Sequence, residues 1–279
     1  MPQPPKVLVF DSGLGGLTVF AEIARARPDA QLIYAADDAG FPYGELEEGA
    51  LVARVMTVME RLIAEAAPDA VVIACNTAST LVLPHLRRQF PLIPFVGTVP
   101  AVKPAASLSR SKLISVLATP GTVARDYTRE LVRTYAAHCV VTLVGSSALA
   151  SLAEAFMQGE APSDAAILRE IAPAFVSEGE RTDCIVLACT HYPLLIDQFA
   201  RLAPWAVQWI DPAPAIARRT DHVLREDLGF PAPQEHLEPA TQHRALFTSS
   251  AAPSERLSEA LRKRGIGKIG MEPMPLVFA

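Results

Sequence analysis

Ala70-Val-Val-Ile-Ala-Cys75-Asn76-Thr77 and Cys184-Ile-Val-Leu-Ala-Cys189-Thr190-His191 follow one pattern: a short apolar run ends in a cysteine, and small polar residues come next. Short apolar runs bounded by turn residues read as strands buried on both faces, as in a parallel sheet. An earlier apolar run in each half also ends in a small-residue turn. These runs are Val7–Phe10 before Asp11-Ser12-Gly13, and Leu113–Leu117 before Ala118-Thr119-Pro120-Gly121. The recurring order and spacing imply two domains of one architecture facing each other. Two thiols at the mouths of matched strands are then a candidate acid/base pair.

Working outward, strand-like runs at 7–10, 31–36, 70–75, 95–99, 113–117, 140–145, 184–189 and 207–210 alternate with helix-like stretches. That alternation marks an α/β fold: two pseudo-symmetric, doubly wound domains with mostly parallel sheets and a cleft between them. Over 51–64, Val52, Val55, Met56, Met59 and Ile63 recur at helical spacing, giving a core-packing stripe. Leu17–Arg27 reads as a helix opened by Gly15-Gly16, and Val123–Ala137 as its counterpart opened by Pro120-Gly121-Thr122. Seams near Gly97–Pro104 and Ile210–Pro212 divide the chain into a first domain of 1–98 plus 210–279 and a second of 99–209. The tail, with a Pro-rich stretch from Pro231 to Pro239 and further strand and helix signals to Phe278, is expected to pack back on the first domain.

The 279 residues are 50% hydrophobic, ample for two cores, and carry a net charge of -5. An acidic balance argues against a general nucleic-acid surface, which needs clustered positive charge. Apolar runs stop well short of a membrane span, and no signal-peptide core follows Met1-Pro-Gln-Pro-Pro-Lys6, so the cytoplasm is the expected compartment. Cys75, Cys139, Cys184 and Cys189 show neither CxxC pairing nor zinc-ligand spacing and are expected as free thiols, with no metal. Cys139 and Cys184 open strands and read as core.

Cysteines at helix starts, as Cys75 and Cys189 are expected to be, have their thiolates favoured by the backbone dipole. His191, two residues beyond Cys189, stands where it can stabilise a thiolate or pass it a proton. A Cys-His nucleophilic pair is the competing chemistry, but it leaves Cys75 unused. The turn Asp11-Ser12-Gly13-Leu14-Gly15-Gly16 lacks the spacing of a nucleotide loop, and an aspartate there suits an ammonium group better than a phosphate. The loop Asp37-Asp38 to Pro42-Tyr43-Gly44 also follows a strand, where ligands of open α/β sheets bind. His85, His138, His222, His236 and His243 read as surface or helix-end residues.

Taken together, Asp11-Ser-Gly-x-Gly-Gly16, Pro42-Tyr-Gly44, Cys75-Asn-Thr-Ala-Ser79 and Cys189-Thr-His-Tyr-Pro193 resemble, in order and across most of the chain, the motifs of the glutamate racemase family. The Thr-His-Tyr-Pro after the second cysteine is typical of the glutamate enzymes rather than their aspartate relatives. Gly40, where many members carry arginine, and Thr80, where a small apolar residue is common, depart from the pattern.

The resemblance implies cofactor-independent inversion at Cα, with Cys75 deprotonating D-glutamate and Cys189 L-glutamate. It implies that Asp11 and His191 assist the cysteines and that Asp37 and Glu154 are acidic groups near the site. It also implies substrate contacts from Asp11, Ser12, Tyr43, Gly44, Asn76, Thr77, Thr190 and His191. D-glutamate for peptidoglycan is the expected product, and a homodimer the expected assembly. Some members of the family are thought to bind DNA gyrase, which the acidic balance here does not support. Aspartate or hydantoin racemisation, or a non-catalytic module on the same fold, are the alternatives. A single-cysteine decarboxylase is disfavoured because both cysteine positions are filled.

Overall fold

The structure, a computed structural model, describes residues 3–233 and 243–274. Strands β1 (Lys6–Asp11), β2 (Gln31–Ala36), β3 (Ala70–Ile73) and β4 (Phe95–Gly97) alternate with helices α1 (Leu17–Ala26), α2 (Glu48–Ala66) and α3 (Asn76–Gln89). Helix α4 (Val102–Leu108) leads into β5 (Leu113–Ala118), α5 (Pro120–Ala124), α6 (Asp126–Tyr135) and β6 (Val140–Gly145). After α7 (Leu149–Gln158) and α8 (Asp164–Ile171) come the small antiparallel pair β7 (Ser177–Glu178) and β8 (Glu180–Arg181), then β9 (Cys184–Ala188), α9 (Ile196–Leu202) and β10 (Gln208–Ile210). The chain continues through α10 (Ala213–His222), β11 (His243–Phe247), α11 (Glu255–Arg262) and β12 (Ile266–Met271).

Two sheets result, a six-stranded one in the order β12-β11-β2-β1-β3-β4 and a four-stranded one in the order β10-β9-β5-β6. Every neighbouring pair in both is parallel. The central strands are buried on both faces, which is why they read as unbroken apolar runs. Val7 and Val9 of β1 enter one core, while Leu8 and Phe10 enter the other. The same alternation sends Cys184 and Cys189 to opposite faces of the second sheet.

The strand order places the site. The chain passes from β1 to β2 on one side and then returns to lay β3 on the other, so the winding reverses at β1. It reverses likewise at β5, flanked by β6 and β9. Beyond the carboxyl end of such a reversal point the loops splay apart and leave a crevice. Ser12, Cys75, Thr119 and Cys189 all follow strands at these two reversals.

Several sequence expectations meet the structure differently. The helix expected over Val123–Ala137 is broken, because Arg125 adopts an extended backbone (φ -75°, ψ 140°) between α5 and α6. Thr119 caps α5 through its side chain, and Thr128 Oγ1 returns to Thr122 O at 2.6 Å, tying the break down. In α2 the buried face is Leu51, Val55, Val58, Met59 and Leu62, while Val52, Met56 and Ile63 flank it half-buried. Apolar residues on two adjacent stripes left the phase ambiguous.

His243 is not a surface residue. It is buried on β11, its Nδ1 accepts Leu32 N at 3.3 Å, and burial pushes its pKa down. The β11–β12 register shifts at His243/Arg244, and the imidazole supplies the β2 amide with its acceptor there. His236, the Pro-rich stretch beyond 233 and Phe278 lie outside the described residues.

The segment after β10 returns to the six-stranded sheet. Ile216, Ala217, Val223 and Leu224 join the core that covers α1. Arg27, fully buried, fastens this packing: Nε and Nη2 reach Asp29 at 2.8 and 2.6 Å, and Nη1 reaches Asp221 at 3.4 Å. Arg27→Ala removes a buried guanidinium from two partly exposed carboxylates, of which Asp221 keeps Arg225 at 3.7 Å, and is expected to cost about 2 kcal/mol. Urea denaturation checks this; an unchanged midpoint would show that the ion cluster adds nothing to the docking of α10.

Among the described residues no helix is long and apolar enough to cross a membrane.

Candidate active site

A single cleft is lined by both Cys75 and Cys189, together with Ser12, Tyr43, Gly44, Asn76, Thr77, Thr190 and His191. The sequence marked all of these. Thr119, Pro120, Ser146, Ser147, Phe41 and Glu45 also line it and were not assigned a role. Their signal was positional: Thr119-Pro120 follows β5 as Ser12 follows β1, and Ser146-Ser147 follows β6. The first domain's Gly44 abuts the second domain at this point, where an added Cβ would come within 3.2 Å of Thr119 Cβ.

Cys75 ends the β3 segment and stands immediately before α3. Its sulfur lies 3.5 Å from Ser12 Oγ and receives the Ala78 backbone N–H. The helix start favours a thiolate here, but its surroundings work against one. Burial raises the pKa to about 12, the nearby Asp11 adds to the rise, and the Ala78 and Ser12 hydrogen bonds offset only part of it. Desolvation of a fully enclosed thiol outweighs one helix terminus.

Cys189 has a different neighbour. His191 Nδ1 is 3.8 Å from its sulfur, and His191 Nε2 is 2.6 Å from Glu154 Oε1. Burial alone would depress the imidazole pKa, but hydrogen bonds to Cys189 and Glu154, with the Glu154 charge, raise it well above its ordinary value. The surroundings thus favour the imidazolium, which can donate from both nitrogens. Glu154 also accepts the Leu14 backbone N–H, so the glycine turn of the first domain is bonded to the histidine relay of the second. Contact is close enough to demand glycine: a Cβ on Gly15 would sit 2.5 Å from His191 Nδ1 and 2.6 Å from His191 N.

Asp11 does not line the cleft. Fully buried, it accepts Gly16 N at 3.0 Å and Gly13 N at 3.3 Å, shaping the turn. Its other oxygen accepts Thr190 Oγ1 at 3.1 Å, so it also orients a cleft residue of the second domain. Burial raises its pKa, with the His191 charge and these hydrogen bonds pulling the other way. Asp37 is likewise buried behind the wall, where it binds Arg54 and accepts the Tyr43 hydroxyl. With that hydroxyl committed, Tyr43 meets the cleft with its ring and backbone.

Asn76 offers the cleft free hydrogen-bonding capacity. Its amide atoms, Oδ1 and Nδ2, are buried there with no partner among the described residues. A buried amide left unsatisfied costs about 1–3 kcal/mol, which a polar ligand would recover. Beside it, Thr77 Oγ1 is 3.1 Å from Thr119 Oγ1, which is 3.0 Å from Thr122 Oγ1, forming a chain of hydroxyls across the domains.

Both departures from the family pattern find a local reason. At Gly40 an added Cβ would lie 2.7 Å from Asp37 Oδ2 and 3.3 Å from Arg54 Nε, so a guanidinium reaching in from α2 fills that space. Thr80 Oγ1 accepts from Arg125, which also donates to Thr77 O. The extended break at Arg125 thus sends a second-domain side chain onto α3, directly beyond Cys75.

Two facing α/β domains thus bring a thiol from each to one cleft, with an imidazole and several hydroxyls beside them. The Asp/Glu/Hydantoin racemase family model matches residues 12–220. The chain is 54% identical over 244 residues to the glutamate racemase of Agrobacterium fabrum, covering 87% of each chain. It is 57% identical over 225 residues to that of Rhizobium meliloti, covering 80% of this chain and 81% of the relative. Its fold superposes on Escherichia coli glutamate racemase in complex with L-glutamate and the activator UDP-MurNAc-Ala, with a TM-score of 0.86 and 39% identity over 96% of this chain and 98% of that one. The protein belongs to the Asp/Glu/Hydantoin racemase family.

Proposed function

We propose that this racemase interconverts L- and D-glutamate by a two-base mechanism without a cofactor, supplying D-glutamate for peptidoglycan. The observation that carries the reading is the convergence of Cys75 and Cys189, from matched strands of two domains, on one cleft. The glutamate racemases to which the chain is 54% and 57% identical support the substrate.

With L-glutamate bound, Cys189 as thiolate takes the α-proton from one face, and Cys75 as thiol gives its proton to the other. The product is D-glutamate, Cys189 is left as thiol and Cys75 as thiolate, and proton exchange with solvent resets the pair. The reverse reaction exchanges the roles. The high pKa of Cys75 keeps its proton in place, ready for donation to the substrate. His191 as imidazolium gives negative charge on the Cys189 sulfur a partner.

The carbanion formed beside the α-carboxylate needs fixed donors in a site that excludes water. Asn76, Thr77 and Ser12, all buried and all lining the cleft, would supply them, while the Thr190 hydroxyl keeps its proton on Asp11. Asp11 and Asp37 act from behind the wall, holding Thr190 and Tyr43.

Polarimetry on L-glutamate and L-aspartate, without added cofactor, tests the substrate. Glutamate is expected to racemise to equality, with kcat/KM for aspartate lower by about 10–200-fold, the range set by one methylene in a shaped site. Brisk aspartate turnover with inert glutamate would overturn the assignment.

A further inference from the structure

Five cleft residues, Phe41, Pro42, Tyr43, Gly44 and Glu45, come from the single loop between β2 and α2. What holds that loop lies elsewhere in the chain. In the six-stranded sheet β11 is the neighbour of β2, and their register pairs Phe247 with Ala36. Thr248 therefore leaves the sheet beside Asp37, and its own N–H bonds Ala36 O at 3.1 Å.

The Thr248 hydroxyl sits at the centre of the loop's base. It donates to Asp37 Oδ1 at 2.5 Å and accepts the Ala39 backbone N–H at 3.2 Å. A hydroxyl has one proton, and it goes to the nearer acceptor, Asp37, rather than to Asp38 Oδ1 at 3.5 Å. Asp37 Oδ1 also receives Arg54 Nη2 at 2.5 Å, while Oδ2 receives Arg54 Nε at 2.9 Å and the Tyr43 hydroxyl. Next door, Asp38 Oδ1 accepts Ser249 N at 2.9 Å, and Oδ2 accepts the Ser249 hydroxyl. Thr248, Asp37 and Tyr43 are all buried, so water cannot replace a lost partner.

The geometry points to Thr248 as a positioning residue for substrate binding: through Asp37 and Ala39 it fixes the Phe41–Glu45 loop, and with it Tyr43 and Gly44, against the cleft. This rests on the cleft being the glutamate site. Thr248 touches no substrate and takes no part in proton transfer, so its removal should loosen binding while leaving the reaction of bound glutamate nearly unchanged. A merely structural residue behaves otherwise, since a smaller folded fraction lowers apparent kcat and leaves KM where it was.

The test is steady-state kinetics of wild type, Thr248→Val and Thr248→Ser with both glutamate enantiomers. The valine variant keeps the shape and loses the hydroxyl. Its KM is expected to rise about tenfold with kcat within about threefold of wild type, and the serine variant is expected to restore KM. Ser249→Ala, which removes the side-chain half of the Asp38 anchor and keeps the backbone half, is expected to raise KM about threefold and carries the test if the valine variant does not fold. Wild-type KM in the valine variant, a fall in kcat at constant KM, or failure of serine to restore KM overturns the inference, as does wild-type KM in Ser249→Ala where valine does not fold. Wild type inert toward glutamate would instead strike the functional reading, a separate and recognisable outcome.

Discussion

Cys75→Ala and Cys189→Ala are each expected to lose about 10³-fold or more of glutamate racemisation in both directions, equivalent to about 4 kcal/mol of transition-state stabilisation. Either direction needs one sulfur as base and the other as acid, so neither variant has a spared direction. Equilibrium imposes the same symmetry: enantiomers are equally stable, and kcat/KM must fall by one factor for both. Initial rates from circular dichroism measure this. A variant that keeps full activity would show that its sulfur is a bystander and that the two-base scheme is wrong. Cys184→Ala is the contrast, since that thiol lies on the opposite sheet face and its loss should leave KM unchanged.

The second large effect is expected at His191. Replacing it with asparagine removes the cation 3.8 Å from the Cys189 sulfur and should lower kcat/KM about 10²-fold, equally for the two enantiomers. The primary deuterium isotope effect on kcat should grow most with L-glutamate, the direction in which Cys189 is the base. The pH profile separates this role from simple packing. Because the His191 pKa is raised, the imidazolium persists through neutrality and is lost only as pH climbs through that raised value. Wild type should thus show an alkaline decline well above pH 6.5, the ordinary histidine value. Glu154→Gln removes one source of the rise and should move the decline to lower pH, and His191→Asn should abolish it. A decline unaltered in both variants would assign it to another group.

Much of the site was legible because its chemistry sits at strand ends. Cys75 and Cys189 were visible as breaks between an apolar run and a small polar turn, and the strand pattern alone put both at carboxyl ends. His191 was visible two residues beyond Cys189, Glu154 entered through family likeness, and the geometry joins them at 2.6 Å.

What escaped the sequence has physical causes. The ionisation of Cys75 could not be read from the sequence, because a helix start is local and legible whereas enclosure by distant residues is neither. The break at Arg125 was hidden by an apolar pattern that runs on through it. Thr248 could not be connected with Asp37, 211 positions away, until β11 was seen to lie against β2. That Asp11 also holds the turn and Thr190, through bonds from Gly13, Gly16 and the Thr190 hydroxyl, could not be read before the two domains were seen together.

Opposite-face proton transfer is open to a direct measurement: racemisation of L-glutamate in deuterium oxide, stopped early, with each enantiomer separated and its α-hydrogen analysed by mass spectrometry. Two distinct thiols require that D-glutamate carry solvent deuterium from its first appearance while unreacted L-glutamate stays protiated. Equal labelling of recovered substrate and product at the earliest times, or product that retains the original hydrogen, would mean a single group serves both faces and would contradict the account.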